Sequence, residues 1–237
     1  MHTASQADAR DRGGTVAAID SAPTYPQTPR TTPTRARDRV TYDRELVHRV
    51  LDDGYLCHLG FVRDGAPVVL PTLYARIGER LYVHGSTGSR PVRSAAGTPE
   101  GLPVCLTVTH VDGLVLAKSA FHHSVNYRSV VVHGLARPVT DEAVKRRVLD
   151  AVVDQVVPGR AADCRPADAR ELAATALLEL ELAEVSVKVR TGGPNEDPDD
   201  LDLPHWSGVL PARTAYGPPE PAGEGTAPAY LARLTGR

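Results

Sequence analysis

The sequence predicts an α+β fold in which about six antiparallel strands form a closed or partly closed β-barrel with a few peripheral helices. Short apolar runs follow one another across turns of Asp-Gly or Gly type, which is typical of an antiparallel meander. Few segments have helical periodicity, so the strands must bury most of the core. A barrel does so without leaving exposed sheet edges.

The first predicted element is a helix within TYDRELVHRVLDDG, residues 41–54. Thr41 is expected to cap it, the apolar residues recur at helical spacing, and Gly54 provides a stop. Three apolar runs separated by RDGA and GE follow, and they predict a three-stranded meander. These runs are YLCHLGFV (55–62), PVVLPTLYARI (67–77) and RLYVHG (80–85).

Three later apolar runs predict the remaining strands. In the last of them, residues 177–190, glutamates alternate with leucines and valines, as expected for one half-buried strand. Two helices are predicted before it, at 140–157 with Thr140 as a possible cap and at 166–176. The other two strand runs are LPVCLTVTHVDGLVLAK (102–118) and YRSVVVHGLARPV (127–139).

Composition indicates one domain between two tails. Residues 1–37 hold too little apolar surface to offset the entropy of ordering, so we expect a disordered tail whose deletion to residue 36 leaves the fold intact. Residues 217–237 are rich in Pro and Gly and are expected to be a second tail. The intervening residues 38–216 can bury a single core.

Charge and hydropathy limit the classes of partner. The 237-residue chain has a net charge of -2, which disfavours nucleic acid, whose binding requires many phosphate contacts. No apolar run approaches the roughly 20 residues that span a bilayer. The N-terminus lacks the apolar centre of a secretory signal, so we expect a cytoplasmic protein.

Cys57, Cys105 and Cys164 form no CxxC pair, and we expect reduced thiols and no metal site.

A loop of Gly, Ser and Thr follows the strand that ends at His84. Arg90 and Arg93 come next, at the start of a short helical stretch. Backbone N–H groups, hydroxyls and a helix start favour a phosphate, and arginine adds a two-pronged charged contact. A plain surface turn accounts for the same residue types equally well.

A second polar cluster comprises His122, His123, Asn126, Tyr127 and Arg128, just before a strand. It could line a pocket, and its histidines and tyrosine are the candidate acid–base groups near a substrate opening. Hydrogen-bonded or exposed histidines are the alternative, because adjacent residues point apart in a strand and no third ligand has metal spacing. The arginine could instead pair with a structural carboxylate.

The single tryptophan, Trp206, lies in HWSGVLPARTAYG, residues 205–217. Its ring could cover a planar ligand. It could equally anchor the following tail, because an aromatic ring contributes a large apolar surface.

Taken together and in this order, the segments resemble the flavin-nucleotide-binding branch of the pyridoxamine-phosphate-oxidase-like split barrels, which includes the nitroimidazole-resistance proteins. The resemblance covers about residues 38–215. It rests on PVVLPTLYARIGERLYVHGSTGSR, on SVNYRSVVVHGLARPV and on HWSGVLP. It implies a split antiparallel barrel, FMN as cofactor, and a homodimer with a flavin site in each groove between the subunits.

The resemblance also assigns residues to the flavin. The segment 69–72 would run beside the isoalloxazine ring, 84–86 along its edge and the ribityl chain, and Trp206 would come from the partner subunit. Pro91 stands where related sequences place a lysine, so one phosphate anchor is lost and Arg93 is its candidate replacement. The residues expected at the cofactor are Val69, Leu70, Pro71, Thr72, His84, Gly85, Ser86, Ser89, Arg90, Arg93, Asn126, Arg128 and Trp206.

The function that follows is an FMN-dependent oxidoreductase that moves two electrons between a reduced nicotinamide or other donor and a small organic acceptor. A flavin-binding or flavin-storing protein without turnover is the alternative from another class. A further alternative keeps the fold and exchanges the ligand for haem or a deazaflavin, since a proximal histidine is a usual haem ligand.

Overall fold

The computed structural model describes residues 23–235, which form nine strands and five α-helices. The strands are β1 (Val40–Thr41), β2 (Leu56–Arg63), β3 (Ala66–Ile77), β4 (Arg80–Ser86), β5 (Leu102–Leu116), β6 (Ser124–Pro138), β7 (Thr175–Glu181), β8 (Glu184–Arg190) and β9 (Gly208–Pro211). The helices are α1 (Arg44–Asp52), α2 (Arg90–Ala96), α3 (Glu142–Val156), α4 (Ala169–Ala174) and α5 (Ala232–Thr235).

Six of these strands close into an antiparallel ring, in the order β2, β3, β4, β7, β6 and β5. The ring confirms the six-stranded barrel that the sequence predicts. Outside it, β8 and β1 extend the sheet beyond β6, and β9 pairs with β5. The ring is split because β3 changes partner: its residues 66–73 pair with β2, and its residues 74–77 pair with β4.

The turn between β2 and β3 follows from its two residues. Asp64 and Gly65 both have positive φ, 50° and 77°, as a two-residue type I′ hairpin turn requires. Arg63 then pairs with Ala66, and the register of the whole hairpin is set. The Asp-Gly signal in the sequence therefore predicts this hairpin correctly.

Two helices begin later than the sequence predicts. Asp43, not Thr41, caps α1, and its carboxylate accepts the N–H of Leu46. Asp141, not Thr140, caps α3 in the same way. Both threonines are possible caps by type, but an N-cap must directly precede the first helical residue, and Thr41 belongs to strand β1.

The predicted last strand is two strands. β7 pairs with β4 and β6, whereas β8 pairs with β6 and β1, and the chain turns between them at Leu182, which is buried. The alternation shifts by one residue at Ala183, because the apolar residues fall on even positions up to Leu182 and on odd positions from Val185 onward. This shift marks the break between the two strands. The short strand β9 within residues 205–217 was not predicted as a strand.

The barrel interior holds the main core, and α3 covers part of its outer surface. Side chains such as Leu59, Leu106 and Val132 point inward and are almost fully buried. On the outside, Val148 and Val152 of α3 pack on a second cluster formed by Ala75, Tyr82 and Leu177. Among the described residues, no helix has the length and apolar composition needed to cross a membrane.

The predicted N-terminal tail is partly wrong, because residues 23–36 pack against the domain, whereas residues 1–22 lie outside the described part of the chain. Tyr25 is 3% exposed within the main core. Its hydroxyl donates to Glu79 at 2.8 Å, and the Arg44 guanidinium lies 4.3 Å from its ring centroid. Burial of this one aromatic ring stabilises the segment although its average composition is polar. Composition alone therefore predicted disorder wrongly for residues 23–36.

In the predicted C-terminal tail, residues 217–227 are exposed. Farther along, the Tyr230 hydroxyl donates to Asp163 at 2.7 Å. This segment therefore has a side-chain contact with the domain near its end.

Tyr25→Ala should lower the free energy of unfolding by about 3–5 kcal/mol, because it removes a buried ring and leaves a cavity. Chemical denaturation monitored by circular dichroism measures this loss. Tyr216→Ala is the matched control: Tyr216 is 41% exposed, and its loss should cost less than about 1 kcal/mol. Equal effects of the two substitutions would show that residues 23–36 do not stabilise the domain.

Candidate functional site

The split in the barrel leaves two strand edges facing each other without pairing. Residues 66–73 of β3 pair only with β2, and residues 84–86 of β4 pair only with β7. In the described part of the chain, no strand bridges the gap between them. Because backbone N–H and C=O groups need partners, an edge of this kind can bind a planar polar ligand.

A groove of about 240 Å³ lies at this gap. Its walls come from β2, β3, β4, β7 and α2, which meet only in the folded barrel. Most of the lining is apolar, and Ser89 and Arg90, at the start of α2, form what we call the polar end of the groove. The lining residues are Leu59, Leu70, Pro71, Thr72, Val83, His84, Gly85, Ser89, Arg90, Pro91, Val92 and Leu178.

Two polar atoms of lining residues are buried without a partner. Ser89 precedes α2 at the N-cap position, yet its hydroxyl makes no capping hydrogen bond. Both its Oγ atom and the Nδ1 atom of His84 lack any partner in the described structure. A Cβ atom on Gly85 would lie 3.0 Å from this Oγ, so glycine permits the close approach. Buried polar atoms are almost always paired, and these two mark a place where a bound molecule would complete the contacts.

Arg90 marks the polar end of the groove and also lines a second cavity of about 290 Å³. That second cavity, which we call the basin, is formed by Arg63, Arg90, Arg93 and Ser94. Among the described residues, neither Arg90 nor Arg93 has a carboxylate within salt-bridge distance. The arginine predicted to bind phosphate therefore lies where an anion could reach it.

The groove brings together most of the residues that the sequence predicts at a cofactor. Val69 is not among them: it pairs with Gly60 on the outer face of the sheet and is 61% exposed. Ser86 lies at the turn, where its carbonyl accepts the N–H of Ser89. The predicted residues that do line the groove are Leu70, Pro71, Thr72, His84, Gly85, Ser89 and Arg90, and Arg93 lines the adjoining basin.

Sequence reasoning missed the apolar walls. Leu59, Val83 and Leu178 come from three different strands, and Val92 comes from α2. Each follows an ordinary core pattern, so the only available signal was the alternation that predicts an inward-facing side chain. Which inward-facing residues reach the groove depends on the position of the split.

Asn126 and Arg128 do not line the groove; they bind other parts of the chain. The Asn126 amide donates to the Gly192 carbonyl at 3.0 Å. Arg128 binds both carboxylate oxygens of Asp112 at 3.0 Å and donates to Asp53 at 2.6 Å. Of the two roles that the sequence left open for Arg128, the structure shows the pairing with carboxylates.

The candidate acid–base residues also lie outside the groove lining. His122 contacts Asp197 at 3.0 Å, and this hydrogen bond raises the pKa of the imidazole. His123 contacts the Ser119 carbonyl at 3.0 Å, and Tyr127 pairs with Arg190 across β6 and β8. No group of three or more His, Cys, Asp or Glu side chains suited to a metal occurs among residues 23–235.

Trp206 is 67% exposed and lies against its own chain. A Cβ atom on Gly208 would lie 2.8 Å from the indole ring, so the ring passes directly over this glycine. Within one subunit, Trp206 is not among the residues that line the groove.

Comparison with known proteins identifies relatives of this architecture. The chain matches the family model described as pyridoxamine 5'-phosphate oxidase over residues 43–189. It is similar to the structure of the flavocytochrome Anf3 from Azotobacter vinelandii, with 39% identity, 87% of this chain and 97% of that chain covered, and a TM-score of 0.80. It is also similar to the FAD and haem binding protein from Mycobacterium smegmatis, with 36% identity, 83% and 97% covered, and a TM-score of 0.76.

A more distant structure shares the fold. It is described as a 5-nitroimidazole antibiotic resistance protein from Bacteroides thetaiotaomicron, with 18% identity, 63% of this chain and 86% of that chain covered, and a TM-score of 0.53. No curated protein sequence matches the chain significantly.

Proposed function

This chain belongs to the pyridoxamine 5'-phosphate oxidase family, and we propose that it binds a flavin nucleotide in the groove at the split of the barrel and uses it for electron transfer. The observation that carries the proposal is the make-up of this one groove. Among residues 23–235, an unpaired strand edge, apolar walls and an arginine without a carboxylate partner meet there. These features match the polar edge, the flat faces and the phosphate of a flavin nucleotide.

The ring would lie between the apolar walls, with its polar edge toward β3. Residues 70–72 present backbone groups on the unpaired edge, and the pyrimidine part of an isoalloxazine ring carries both hydrogen-bond donors and acceptors. The walls formed by Leu59, Val83 and Leu178 would bury the ring faces and exclude water. Pro71 has no N–H, so it contributes a carbonyl and an apolar surface.

The phosphate would lie at the polar end of the groove. Arg90 offers a charged, two-pronged donor, and the unpartnered Ser89 hydroxyl lies in the same lining. A bound phosphate would supply the partner that Ser89 lacks. FMN, the form that the sequence predicts, and FAD, named for one of the relatives, share the ring and this first phosphate.

When bound, the flavin supplies the redox chemistry, which in this proposal transfers two electrons between a reduced nicotinamide or other donor and a small organic acceptor. The chain's own residues bind the ring, orient it and keep water from its faces. None of the lining residues is required as an acid or base.

The proposed functional form is a homodimer. The outer face of the β2–β3 hairpin exposes three apolar side chains: Leu56 is 48% exposed, Val62 65% and Val69 61%. Cross-strand pairing places them on one side of the sheet. An apolar face of this kind usually marks an interface. In the arrangement that the resemblance implies, Trp206 of the partner subunit would cover the groove.

Haem is a second candidate ligand, bound in addition to the flavin. The names of two relatives include a flavocytochrome and an FAD and haem binding protein. In this chain, His58 is exposed on the outer face of β2, opposite Pro71 of β3 and Thr107 of β5. An imidazole on a largely apolar face has the chemistry of an axial haem ligand. Because His58 shares this face with Leu56 and Val62, the haem would lie at the interface of the proposed dimer.

The visible spectrum of the freshly purified protein tests the function as a whole. We expect the absorption bands of an oxidised flavin, bleached when reduced nicotinamide is added. Flavin that stays oxidised with every donor tried would favour the storage protein. An additional Soret band, lost in His58→Ala, would establish haem. A colourless protein that fails to bind added flavin would contradict the proposal.

Arg90→Ala should weaken flavin mononucleotide by about 1.5–3 kcal/mol, roughly tenfold to a hundredfold, because a charged phosphate contact is lost. Riboflavin has no phosphate, and its affinity should hardly change. Titration by flavin fluorescence measures both ligands. Arg128→Ala is the matched control: its guanidinium binds Asp112 and Asp53, so FMN affinity should be retained. Equal weakening of riboflavin and FMN by Arg90→Ala would place Arg90 away from the phosphate.

Dimerisation and flavin binding should be coupled. Val69→Asp puts a charge on the apolar face, so we expect a monomer with little flavin. Trp206→Ala should keep the dimer but weaken flavin roughly tenfold, because only the covering ring is lost. Size-exclusion chromatography with absorbance detection measures both properties. A Val69→Asp monomer that retains one flavin per chain would rule out a shared site.

A further inference from the structure

Residues 191–207 connect β8 to β9 and carry Trp206, and we call them the tryptophan segment. The segment contains a short helical turn, Pro198–Asp200, and its other residues have irregular backbone. Three side chains between the end of β5 and the start of β6 bind it, those of Lys118, His122 and Asn126. A segment that is held by a few side-chain contacts opens at a low cost in free energy.

Asn126 and Lys118 hold the two ends of the tryptophan segment through its backbone. The Asn126 amide donates to the Gly192 carbonyl at 3.0 Å. The Lys118 ammonium donates to the carbonyls of Leu201 and Leu203 at 2.6 and 2.7 Å. The second of these carbonyls lies three residues before the tryptophan, so the contacts of this region determine where the indole ring can lie.

The contact between these two ends is an ion pair that depends on pH. The Nε2 atom of His122 lies 3.0 Å from a carboxylate oxygen of Asp197, and the two side chains are 20% and 67% exposed. The Phe121 ring packs edge-to-face on the imidazole, with 5.1 Å between the ring centroids. The hydrogen bond to Asp197 raises the pKa of the imidazole, and the charges of Asp197, Asp200 and Glu196 raise it further. All three carboxylates belong to the tryptophan segment.

The direction of the pH effect follows from this raised pKa. The imidazole attracts the carboxylates fully only while it holds its second proton, so the attraction is complete below the ordinary titration range of histidine. It is lost as the pH rises through the raised pKa of the folded chain. An ion pair at the surface contributes little to stability, so the tryptophan segment should loosen at alkaline pH and remain attached through its other contacts.

We propose that His122 is a positioning residue for the flavin site, because its protonation holds the tryptophan segment through Asp197 and so sets how firmly Trp206 of the partner subunit covers the groove. The inference rests on the proposed function, which gives Trp206 its covering role, and it adds a dependence on pH. His122 itself lies outside the groove lining and acts through the segment.

The test follows Trp206, which is the only tryptophan in the sequence and reports on its segment without any ligand. Acrylamide quenching of its fluorescence is measured in flavin-free full-length protein from about pH 6 to about pH 9. Every protein in the series carries His205→Gln, because a protonated imidazole next to the indole would quench it directly. In this reference protein, quenching should rise with pH. Riboflavin, which has no phosphate to titrate, should bind about twofold to fivefold more weakly at the alkaline end.

Three variants identify the group that titrates. His122→Gln should show the high quenching at every pH, because glutamine keeps a hydrogen bond but carries no charge. His122→Lys should show the low quenching at every pH, because it stays charged throughout this range. Asp197→Asn should also remove the pH dependence. His123→Gln is the matched control: His123 contacts the Ser119 carbonyl, and its loss should leave the pH dependence unchanged.

Quenching that does not change with pH in the reference protein would overturn the inference. A change that persists in His122→Gln would also overturn it, since another group would then titrate. A change in quenching with the same riboflavin affinity at both ends of the range would rule out the link to the flavin site. Failure to bind riboflavin at any pH, with the quenching change intact, would overturn the proposed function but not the pH-dependent hold on the segment.

Discussion

The change of partner along β3, between Leu73 and Tyr74, is the constraint on which the groove depends. A strand that serves two halves of a barrel leaves one edge unpaired in each half, and the unpaired edge of residues 66–73 forms one side of the site. Tyr74 fixes the position of β3 where its partner changes. Its ring is fully buried, and its hydroxyl donates to the Leu51 carbonyl at the end of α1. Burial of this phenol raises its pKa, so it remains a neutral donor.

The sequence around α2 determines the charge and the shape of the polar end of this groove. Pro91 forms part of the apolar wall at the start of α2. The positive charge is carried instead by Arg90 and Arg93, one turn apart on the same helix face. Gly85 leaves room for the Ser89 hydroxyl, which is held at the boundary between apolar and charged surface. The start of α2 therefore brings two arginines to the groove and the basin, although Pro91 between them carries no charge.

The polar cluster at the start of β6 has a structural role in this chain. His122 contacts Asp197, Asn126 donates to Gly192, and the Lys118 N–H donates to Glu196. All three hold the segment that follows β8, and this segment leads to β9 and Trp206. The crowding of polar side chains thus fixes the course of the C-terminal segment, and with it the position of the aromatic ring that the proposed dimer would use.

The sequence by itself determined the meander, the Asp-Gly hairpin and the residues that form the polar end of the groove, because these depend on contacts between near neighbours in the chain. It also supported the family resemblance, through motifs in the correct order. Only the tertiary structure decided the strand partners of β7 and β8, the packing of Tyr25, the partners of Arg128 and the apolar walls. Each of these depends on which distant segments meet, and local residue patterns carry no information on that. Arg63 shows the difference: in the sequence it is a turn residue, and only the closed barrel brings it beside Arg90 and Arg93.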